Sequence, residues 1–327
     1  FGGGTPSCVR ASAIAAILDA VRETLCLAPD AEISVEANPE DVTPDWIRAM
    51  RDAGVNRISC GVQSFTCAAP LGRRHTPERA VEAVRILRDA GVDNLNLDLM
   101  FALPGQGPAE LDRDLDALLA LAPEHVSCYG LTLAPGTPLA RDHAAGRFTF
   151  PDDDAWNALY EQVQARLAAA GYGHYEISNW ARPGYECRHN LRIWEGADYL
   201  GLGPAAVTRW SSWRWTEPVD PEEYLRRASG CQWPREGPPP WVTQAEVVTM
   251  TGADIEILLT GTRLLRGFDP ARLAGLLEEA CICDLRAKGL RWQTDGRIGL
   301  TRAGLPVADS VLDCLVAAWR GPEERLE

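Results

Sequence analysis

The sequence predicts an α/β protein built on a parallel sheet or barrel, followed by a smaller C-terminal domain. Strand-like and helix-like segments alternate through the first 178 residues. The pentapeptide Arg-Asp-Ala-Gly-Val occurs twice, at 51–55 and 88–92, each time ending a helix at a glycine and entering a strand. Thr-Pro, at 43–44 and 76–77, begins both helices with an N-cap and a proline. Repeated βα units imply right-handed crossovers between parallel strands.

The individual elements follow from the spacing of apolar residues. In chain order the sequence predicts helix 10–27, strand 33–37, helix 44–53, strand 57–62, a helix from 77 to about 90, strand 94–101, helix 109–121, strand 125–131, helix 154–170 and strand 174–178. After residue 178 the pattern is irregular and rich in tryptophan and tyrosine.

Dense prolines between residues 217 and 241 predict a linker. The expected domains are therefore residues 1–215 and 242–327, joined by 216–241. The second domain is predicted to contain helices 253–265 and 270–280, the end of a third helix at 284–289, a hairpin at 291–301 turning at Asp295-Gly296, and a last helix at 305–319. Helices followed by a hairpin resemble a winged helix. Because the sequence offers no basic face, packing or protein docking is favoured over DNA reading.

The composition of the 327 residues is that of a globular protein, with 46 % hydrophobic and 24 % charged residues. There is no apolar run of membrane-spanning length and no secretory signal pattern, which predicts a cytoplasmic protein without a transmembrane segment. The net charge of −14 argues against nucleic acid as a partner. Small molecules or proteins are the expected partners.

The ten cysteines are scattered, several of them in apolar strand-like runs. This pattern predicts buried, reduced thiols rather than a disulfide framework. The sequence contains no C-x-x-C pair, and for the closest spacing, Cys281-x-Cys283, a structural role is favoured over a metal site.

Polar residues stand where several predicted strands end. They are the segment Gly2–Thr5, then Glu36, Gln63, Asp98 and Tyr129, with Arg73 in the loop after Gln63. A capping or turn role is the ordinary explanation for any one of them. Because ligands of parallel α/β sheets bind at the carboxyl ends of the strands, the whole set favours a polar ligand with amino, carboxylate and hydroxyl groups. Consecutive glycines fit a backbone that closely approaches such a ligand.

A series of short motifs, each weak alone, resembles one family when taken in order. The motifs are F-G-G-G-T-P (1–6), G-V-Q-S-F (61–65), N-L-D-L (96–99), L-P-G-Q (103–106), P-G-T-P (135–138), Y-E-I-S-N (175–179) and R-P-G-Y-E-C-R-H-N (182–190). Together they resemble the radical S-adenosylmethionine proteins of the oxygen-independent coproporphyrinogen III oxidase group, which includes heme chaperones. The resemblance covers nearly the whole chain and is strongest to about Gly203.

This resemblance implies a partial parallel (β/α)6 barrel. In the family, a [4Fe-4S] cluster held by a C-x-x-x-C-x-x-C loop cleaves S-adenosylmethionine to a 5′-deoxyadenosyl radical. By resemblance, the backbone of Gly3, Gly4 and Thr5 approaches the methionine amino group and Arg73 pairs with the carboxylate. Glu36, Gln63 and Asp98 are then expected to contact the ribose and methionine moieties.

The sequence departs from the family pattern in three places. The family's cysteine loop lies upstream of the F-G-G-G segment, so the chain is expected to lack the first βα unit and all three cluster ligands. The segment from Phe65 to Arg73 is short, which leaves Arg74 and His75 as alternatives for the carboxylate partner. Residues 203–208 stand where chaperone-type members usually carry Gly-Ala-His-Ser.

Three functions remain open at the level of sequence. The first is a heme chaperone that delivers heme to a membrane-bound acceptor, with His189 as axial ligand. Residues 189–194 match the chaperone motif H-N-x-x-Y-W except that Ile193 replaces tyrosine. The alternative is a coproporphyrinogen III oxidase, which oxidatively decarboxylates a porphyrinogen. A third is another radical S-adenosylmethionine enzyme of unknown substrate.

Because no three cysteines share metal-ligand spacing, we expect this chain not to assemble a stable [4Fe-4S] centre by itself. Anaerobic reconstitution followed by iron and sulfide analysis measures this. About four tightly bound irons per chain, the content of one such cluster, would contradict the interpretation of the cysteines as structural thiols.

Overall fold

The computed structural model describes residues 1–66, 74–229, 237–242, 244–273, 275–277, 284–286, 290–292 and 296–320. The chain divides into two units, Phe1–Cys187 and Arg188–Glu327. The domain assignment made from the sequence, with boundaries at 215 and 241, stays a prediction.

A six-stranded sheet forms the centre of the first unit. Its strands are β1 (Ser34–Ala37), β2 (Arg57–Gln63), β3 (Leu95–Phe101), β4 (His125–Gly130), β5 (Gly173–Glu176) and β6 (Asn179–Ala181), in the spatial order β1-β2-β3-β4-β6-β5. The pairs β1–β2, β2–β3 and β3–β4 are parallel, so the predicted α/β fold with a parallel sheet is confirmed. The sequence missed β6, which pairs antiparallel with both β4 and β5.

Within the described residues, six helices accompany this sheet: the first precedes β1, and the others lie in the connections between successive strands up to β5. They are α1 (Ala11–Thr24), α2 (Pro44–Asp52), α3 (Pro77–Asp89), α4 (Pro108–Ala120), α5 (Pro138–Ala144) and α6 (Asp153–Ala169). The hydroxyl groups of Thr43 and Thr76 accept hydrogen bonds from the backbone N–H groups of Trp46 and Arg79, as the Thr-Pro pattern predicts. Helix α5 was not predicted from the sequence.

The two faces of β3 have different chemistry. Leu95, Leu97 and Leu99 lie on one face and are fully buried in the core of the unit. Asn96 and Asp98 alternate with them and therefore point to the opposite face of the sheet. This alternation separates an apolar core from a polar face that carries the site described below.

The second unit begins with elements that the sequence analysis missed. The segment predicted to be irregular contains α7 (Arg188–Trp194), β7 (Val207–Trp210) and β8 (Trp213–Thr216). The last two form an antiparallel hairpin that is extended by β9 (Gln244–Val247). The sequence pattern did not reveal these elements, because β7 carries only one aromatic residue, Trp210, and alternation is limited to Trp213 and Trp215 on β8.

Part of the predicted proline-rich linker is ordered. Helix α8 (Pro221–Ala228) lies within it, and the Asp220 carboxylate caps this helix. The indole N–H groups of Trp215 and Trp241 donate to the buried carboxylate of Glu217, at 3.2 and 2.9 Å. Proline supplies the first turn of α8 instead of interrupting a helix.

The rest of the second unit contains α9 (Met250–Gly261), β10 (Leu276–Leu277), β11 (Leu290–Trp292), β12 (Ile298–Leu300), α10 (Ala308–Ala318) and β13 (Trp319–Arg320). The hairpin of β11 with β12 and the last helix agree with the sequence analysis.

The helix predicted over 270–280 is wrong in its first part, where a 3-10 turn, Pro270–Arg272, precedes β10. The remainder, 278–280, lies outside the described residues. Of the helix end predicted at 284–289, only residues 284–286 are described, and they are helical. The predicted turn residue Asp295 is also outside the described part.

In the described part of the chain, no helix combines the length and apolar character needed to cross a bilayer.

A buried carboxylate on α4 holds the segment that follows β2. Asp114 is fully buried, and it accepts hydrogen bonds from the Ser64 hydroxyl and the Gln106 amide at 2.8 and 3.0 Å. It also accepts from the backbone N–H groups of Phe65 and Thr66, at 2.7 and 2.8 Å. Four donors directed at one carboxylate compensate for the cost of burying it.

We expect Asp114→Asn to lower the free energy of unfolding by about 3 kcal/mol, because the amide presents N–H groups to donors that then remain buried and unpaired. Urea denaturation measures the change. The control is Asp116→Asn on the same helix, an exposed residue paired with Arg166, for which a loss below about 1 kcal/mol is expected. Equal losses in the two variants would contradict the anchoring role of Asp114.

Candidate functional site

A polar pocket of about 330 Å³ lies at the carboxyl ends of β1, β2 and β3. Its lining residues come from the glycine segment and from the strand ends, and they are Gly4, Thr5, Pro6, Glu36, Ala37, Asn38, Ser59, Gly61, Gln63, Asp98 and Tyr129. Parallel pairing places these strand ends at one edge of the sheet, as the sequence analysis expected. The volume is in the range of small-molecule sites.

The glycine segment lies beside β1. The Phe1 carbonyl accepts a hydrogen bond from the Glu36 backbone N–H at 3.1 Å. A Cβ atom on Gly2 would stand 2.8 Å from Glu36 Oε1, and Gly3 has a φ of +84°, so neither position accepts a side chain readily. Gly4 has open space around its Cβ position. The backbone therefore borders the pocket without side chains in between.

Two carboxylates, Glu36 and Asp98, line the same pocket. Desolvation raises the pKa of Glu36 above its ordinary value of 4.5, and the charge of Asp98 raises it further. The pocket therefore has a negative field that favours a cationic group.

The end of β2 departs from regular strand geometry. Its pairing with β3 shifts register between Cys60 and Gln63, and Gln63 has a φ of +72°. The Tyr129 hydroxyl donates to Gln63 Oε1 at 2.8 Å, and a Cβ atom on Gly61 would lie 3.0 Å from Gln63 Nε2. A bulge and a strained backbone thus aim the Gln63 amide, while Tyr129 and Gly61 fix its orientation.

The structure brings together Gly4, Thr5, Glu36, Gln63 and Asp98, with Gly3 adjacent in the chain. Arg73 lies outside the described residues. Of its two alternatives, Arg74 is exposed. His75 is buried, with its ring nitrogens 3.1 Å from Glu40 Oε2 and from the Val62 carbonyl oxygen, which is a structural arrangement.

Sequence reasoning missed Asn38 and Ser59, and it named Tyr129 at a strand end without assigning it a contact with the ligand. A signal for Asn38 was present, because residues two apart on an extended segment share a face and Asn38 follows Glu36 by two. This period does not extend from Gln63 back to Ser59, because the register of β2 shifts between Cys60 and Gln63.

The donor set fits S-adenosylmethionine. Its ammonium and sulfonium charges match the carboxylates of Glu36 and Asp98, its hydroxyl groups can pair with carboxylate and amide oxygens, and a backbone without side chains lies alongside. A [4Fe-4S] cluster is a different case. Within the described ranges, no three histidine, cysteine or acidic side chains lie close enough together to hold a metal ion.

His189 belongs to the second unit. It lies in the first turn of α7, and its side chain is exposed. Ile193 follows it by four residues and therefore shares its face of the helix. Trp194 ends α7, and the Arg263 guanidinium lies 5.3 Å from the centre of the Trp194 ring. The heme motif predicted to lie in an irregular segment is thus helical.

Comparison with known proteins agrees with this geometry. The Radical SAM superfamily model matches residues 1–118. The heme chaperone HemW of Mycobacterium tuberculosis is 39 % identical over 96 % of this chain and 79 % of its own length. The Escherichia coli HemW is 45 % identical over 63 % of this chain and 54 % of its own length. Among solved structures, the radical SAM enzyme coproporphyrinogen III oxidase (HemN) of Escherichia coli superposes with a TM-score of 0.73, at 20 % identity, over 96 % of this chain and 76 % of that one.

The parallel sheet with a polar pocket at its carboxyl ends, together with the family match, makes this chain a radical S-adenosylmethionine protein. Membership of that superfamily implies S-adenosylmethionine and a [4Fe-4S] cluster as cofactors. Within the superfamily, the chain belongs to the HemW family. The likeness to the oxidase, at 20 % identity, shows the shared fold alone.

We expect Glu36→Gln to raise the melting temperature at neutral pH. The pKa of Glu36 in the folded protein lies above its ordinary value of 4.5, so the folded state binds the proton more tightly than the unfolded chain. This stabilisation is present in acid and lost as pH rises through the folded-state pKa. The advantage of the glutamine variant should therefore shrink as pH falls towards 4.5. Melting curves between neutral and acid pH measure it, and a constant difference would contradict the assigned cause.

Proposed function

We propose that this protein is a heme chaperone that binds S-adenosylmethionine in the pocket of the first unit and heme at His189 of the second. The observation that supports the first part most strongly is the convergence of Gly4, Thr5, Glu36, Gln63 and Asp98 on one pocket. The chaperone function is favoured over the oxidase, because relatives named heme chaperones are 39 % and 45 % identical whereas the oxidase is 20 % identical.

In the proposed complex each group of the pocket binds a different part of the ligand. The glycine-segment backbone lies against the methionine amino group, and Glu36 and Asp98 supply negative charge and hydrogen-bond acceptors. Tyr129 holds Gln63 Oε1, so that the amide is oriented before the ligand arrives. Arg73 is proposed to pair with the ligand carboxylate. In radical S-adenosylmethionine proteins the cluster supplies the electron that cleaves the bound ligand.

Heme is proposed as the cargo of the second unit. A neutral imidazole is an ordinary axial ligand for heme iron, and His189 is exposed on α7 where a porphyrin can reach it. Ile193 offers apolar contact on the same helix face, although it lacks the hydroxyl group of the tyrosine in the family motif. We further propose a cytoplasmic location, no binding of nucleic acid, and a membrane-bound protein as acceptor of the heme.

Heme titration followed by the Soret band tests the proposal, with the parent chain compared with His189→Ala. We expect the variant to bind at least about tenfold more weakly, because loss of an axial ligand removes more than 1.4 kcal/mol. The matched control is His143→Ala. His143 is also exposed, and its ring centre lies 5.4 and 5.2 Å from those of Phe148 and Phe150, so it presents an imidazole beside aromatic surface outside the motif.

The control variant should keep the parent affinity and spectrum. If His189→Ala also keeps both, His189 is structural and the chaperone proposal loses its main support. If His143→Ala loses the Soret band instead, heme binds to the aromatic cluster of the first unit and the proposed cargo site is wrong.

A further inference from the structure

A continuous series of hydrogen bonds lies in the first unit, one layer below the pocket. It connects Asp98 to Asn96, Asn96 to His125, His125 to Tyr175 and Tyr175 to the backbone of Cys187. Asn96 pairs with His125 in the register of β3 with β4. Asn96 and His125 are almost completely buried, with exposures of 2 % and 1 %. Buried polar groups of this kind require defined partners.

Asp98 determines which way the Asn96 amide points. Asn96 Nδ2 lies 2.6 Å from Asp98 Oδ1 and 2.7 Å from the Ser59 hydroxyl oxygen. The reverse orientation would place the amide oxygen against the carboxylate, with two acceptors in contact. Asn96 Oδ1 therefore faces β4, where it accepts hydrogen bonds from His125 Nδ1 at 2.6 Å and from the Ser127 hydroxyl at 3.2 Å.

This orientation fixes the proton of His125 on Nδ1. Burial lowers the pKa of His125 well below 6.5, and the nearby charge of Arg57 lowers it further, so the ring is neutral. A neutral ring protonated at Nδ1 has a lone pair on Nε2. The Tyr175 hydroxyl donates to that nitrogen at 2.7 Å and accepts from the Cys187 N–H at 3.3 Å. Each hydrogen bond in the series from the Cys187 N–H to the Asp98 carboxylate therefore has a defined donor and a defined acceptor.

We propose that His125 and Tyr175 are positioning residues for S-adenosylmethionine, acting through Asn96 on the Asp98 carboxylate. Tyr175 keeps His125 in the Nδ1–H tautomer, His125 holds the Asn96 amide, and Asn96 fixes the rotation of Asp98 at the wall of the pocket. The ligand then meets an oriented carboxylate, and less conformational freedom is lost on binding. The inference rests on the proposed function, because it takes Asp98 as a contact of the cofactor.

Calorimetric titration of S-adenosylmethionine into the parent, His125→Leu and His125→Asn tests this role. We expect His125→Leu to bind about tenfold more weakly, because the Asn96 amide loses its 2.6 Å partner on β4 and then fixes the rotation of Asp98 less firmly. His125→Asn should stay within about threefold of the parent, because its amide N–H can replace Nδ1–H towards Asn96. A residue needed only to fill space would show no such rescue.

A double-mutant cycle with Asp98→Ala shows whether His125 acts through the carboxylate. If it does, the double variant with His125→Leu binds no more weakly than Asp98→Ala alone. Losses that add would overturn the proposed route. If the parent chain binds no S-adenosylmethionine, both the site and the positioning role are contradicted. If the parent and His125→Leu bind with equal affinity, only the positioning role is contradicted.

The tautomer is measured without any ligand, by ¹⁵N NMR of the histidine rings in the parent and in Tyr175→Phe. The expected spectrum of His125 has a protonated Nδ1 and an unprotonated Nε2 at neutral pH. Tyr175→Phe should shift the Nε2 resonance by removing its donor. A proton on Nε2 in the parent, or an imidazolium ring, would overturn the proposed direction of the chain even if the Leu variant failed to fold.

Discussion

The register between β2 and β3 is the constraint on which the pocket depends. Ser59 lies opposite Asn96, and after the irregularity that follows Cys60, Gln63 lies opposite Leu99. Without that shift, Gln63 would continue the regular alternation of β2, and its side chain would keep the direction set by the strand. The bulge, with the positive φ of Gln63, directs the amide into the pocket that Asp98 and Tyr129 also line.

This arrangement has an energetic cost that is distributed over the surrounding structure. Glu36 and Asp98 repel each other, and Gln63 keeps a backbone conformation that is unfavourable for a residue with a side chain. The parallel sheet and the buried carboxylate of Asp114, which holds the chain just after β2, stabilise the region. Strain and like charge at one place, supported by rigid elements around it, are typical of a binding site.

Much of the first unit could be predicted from the sequence. The Thr-Pro pairs that begin helices, the glycines that end them and the apolar segments that form strands all indicate the elements that are observed. Strand β6 could not be predicted, because only two residues separate it from β5 and neither is a glycine or an asparagine. Helix α7 and the β7–β8 hairpin lie in an aromatic-rich segment whose composition suggested irregular structure. The register of the hairpin, in which Trp210 lies opposite Trp213, is a pairing between strands that composition does not show.

The pocket itself was largely predictable, since β1, β2 and β3 pair in parallel. Glu36 and Gln63 lie at the carboxyl ends of the first two strands, and Asp98 lies on the polar face of β3. The layer below the pocket was not predictable, because the roles of His125 and Tyr175 depend on contacts between residues 50 positions apart. In the sequence, His125 is only the first residue of a strand. Its tautomer follows from the orientation of an amide on the neighbouring strand, and only the folded structure shows this.

Titration of the ¹⁵N-labelled chain with S-adenosylmethionine, followed by ¹H–¹⁵N correlation spectra, tests the location of the cofactor most directly. The account predicts that the largest amide shifts occur in residues 2–5, 36–38 and 59–63 and at Asp98, with little change in residues 188–327. Shifts confined to the second unit, or spread without preference for the carboxyl ends of β1 to β3, would contradict it.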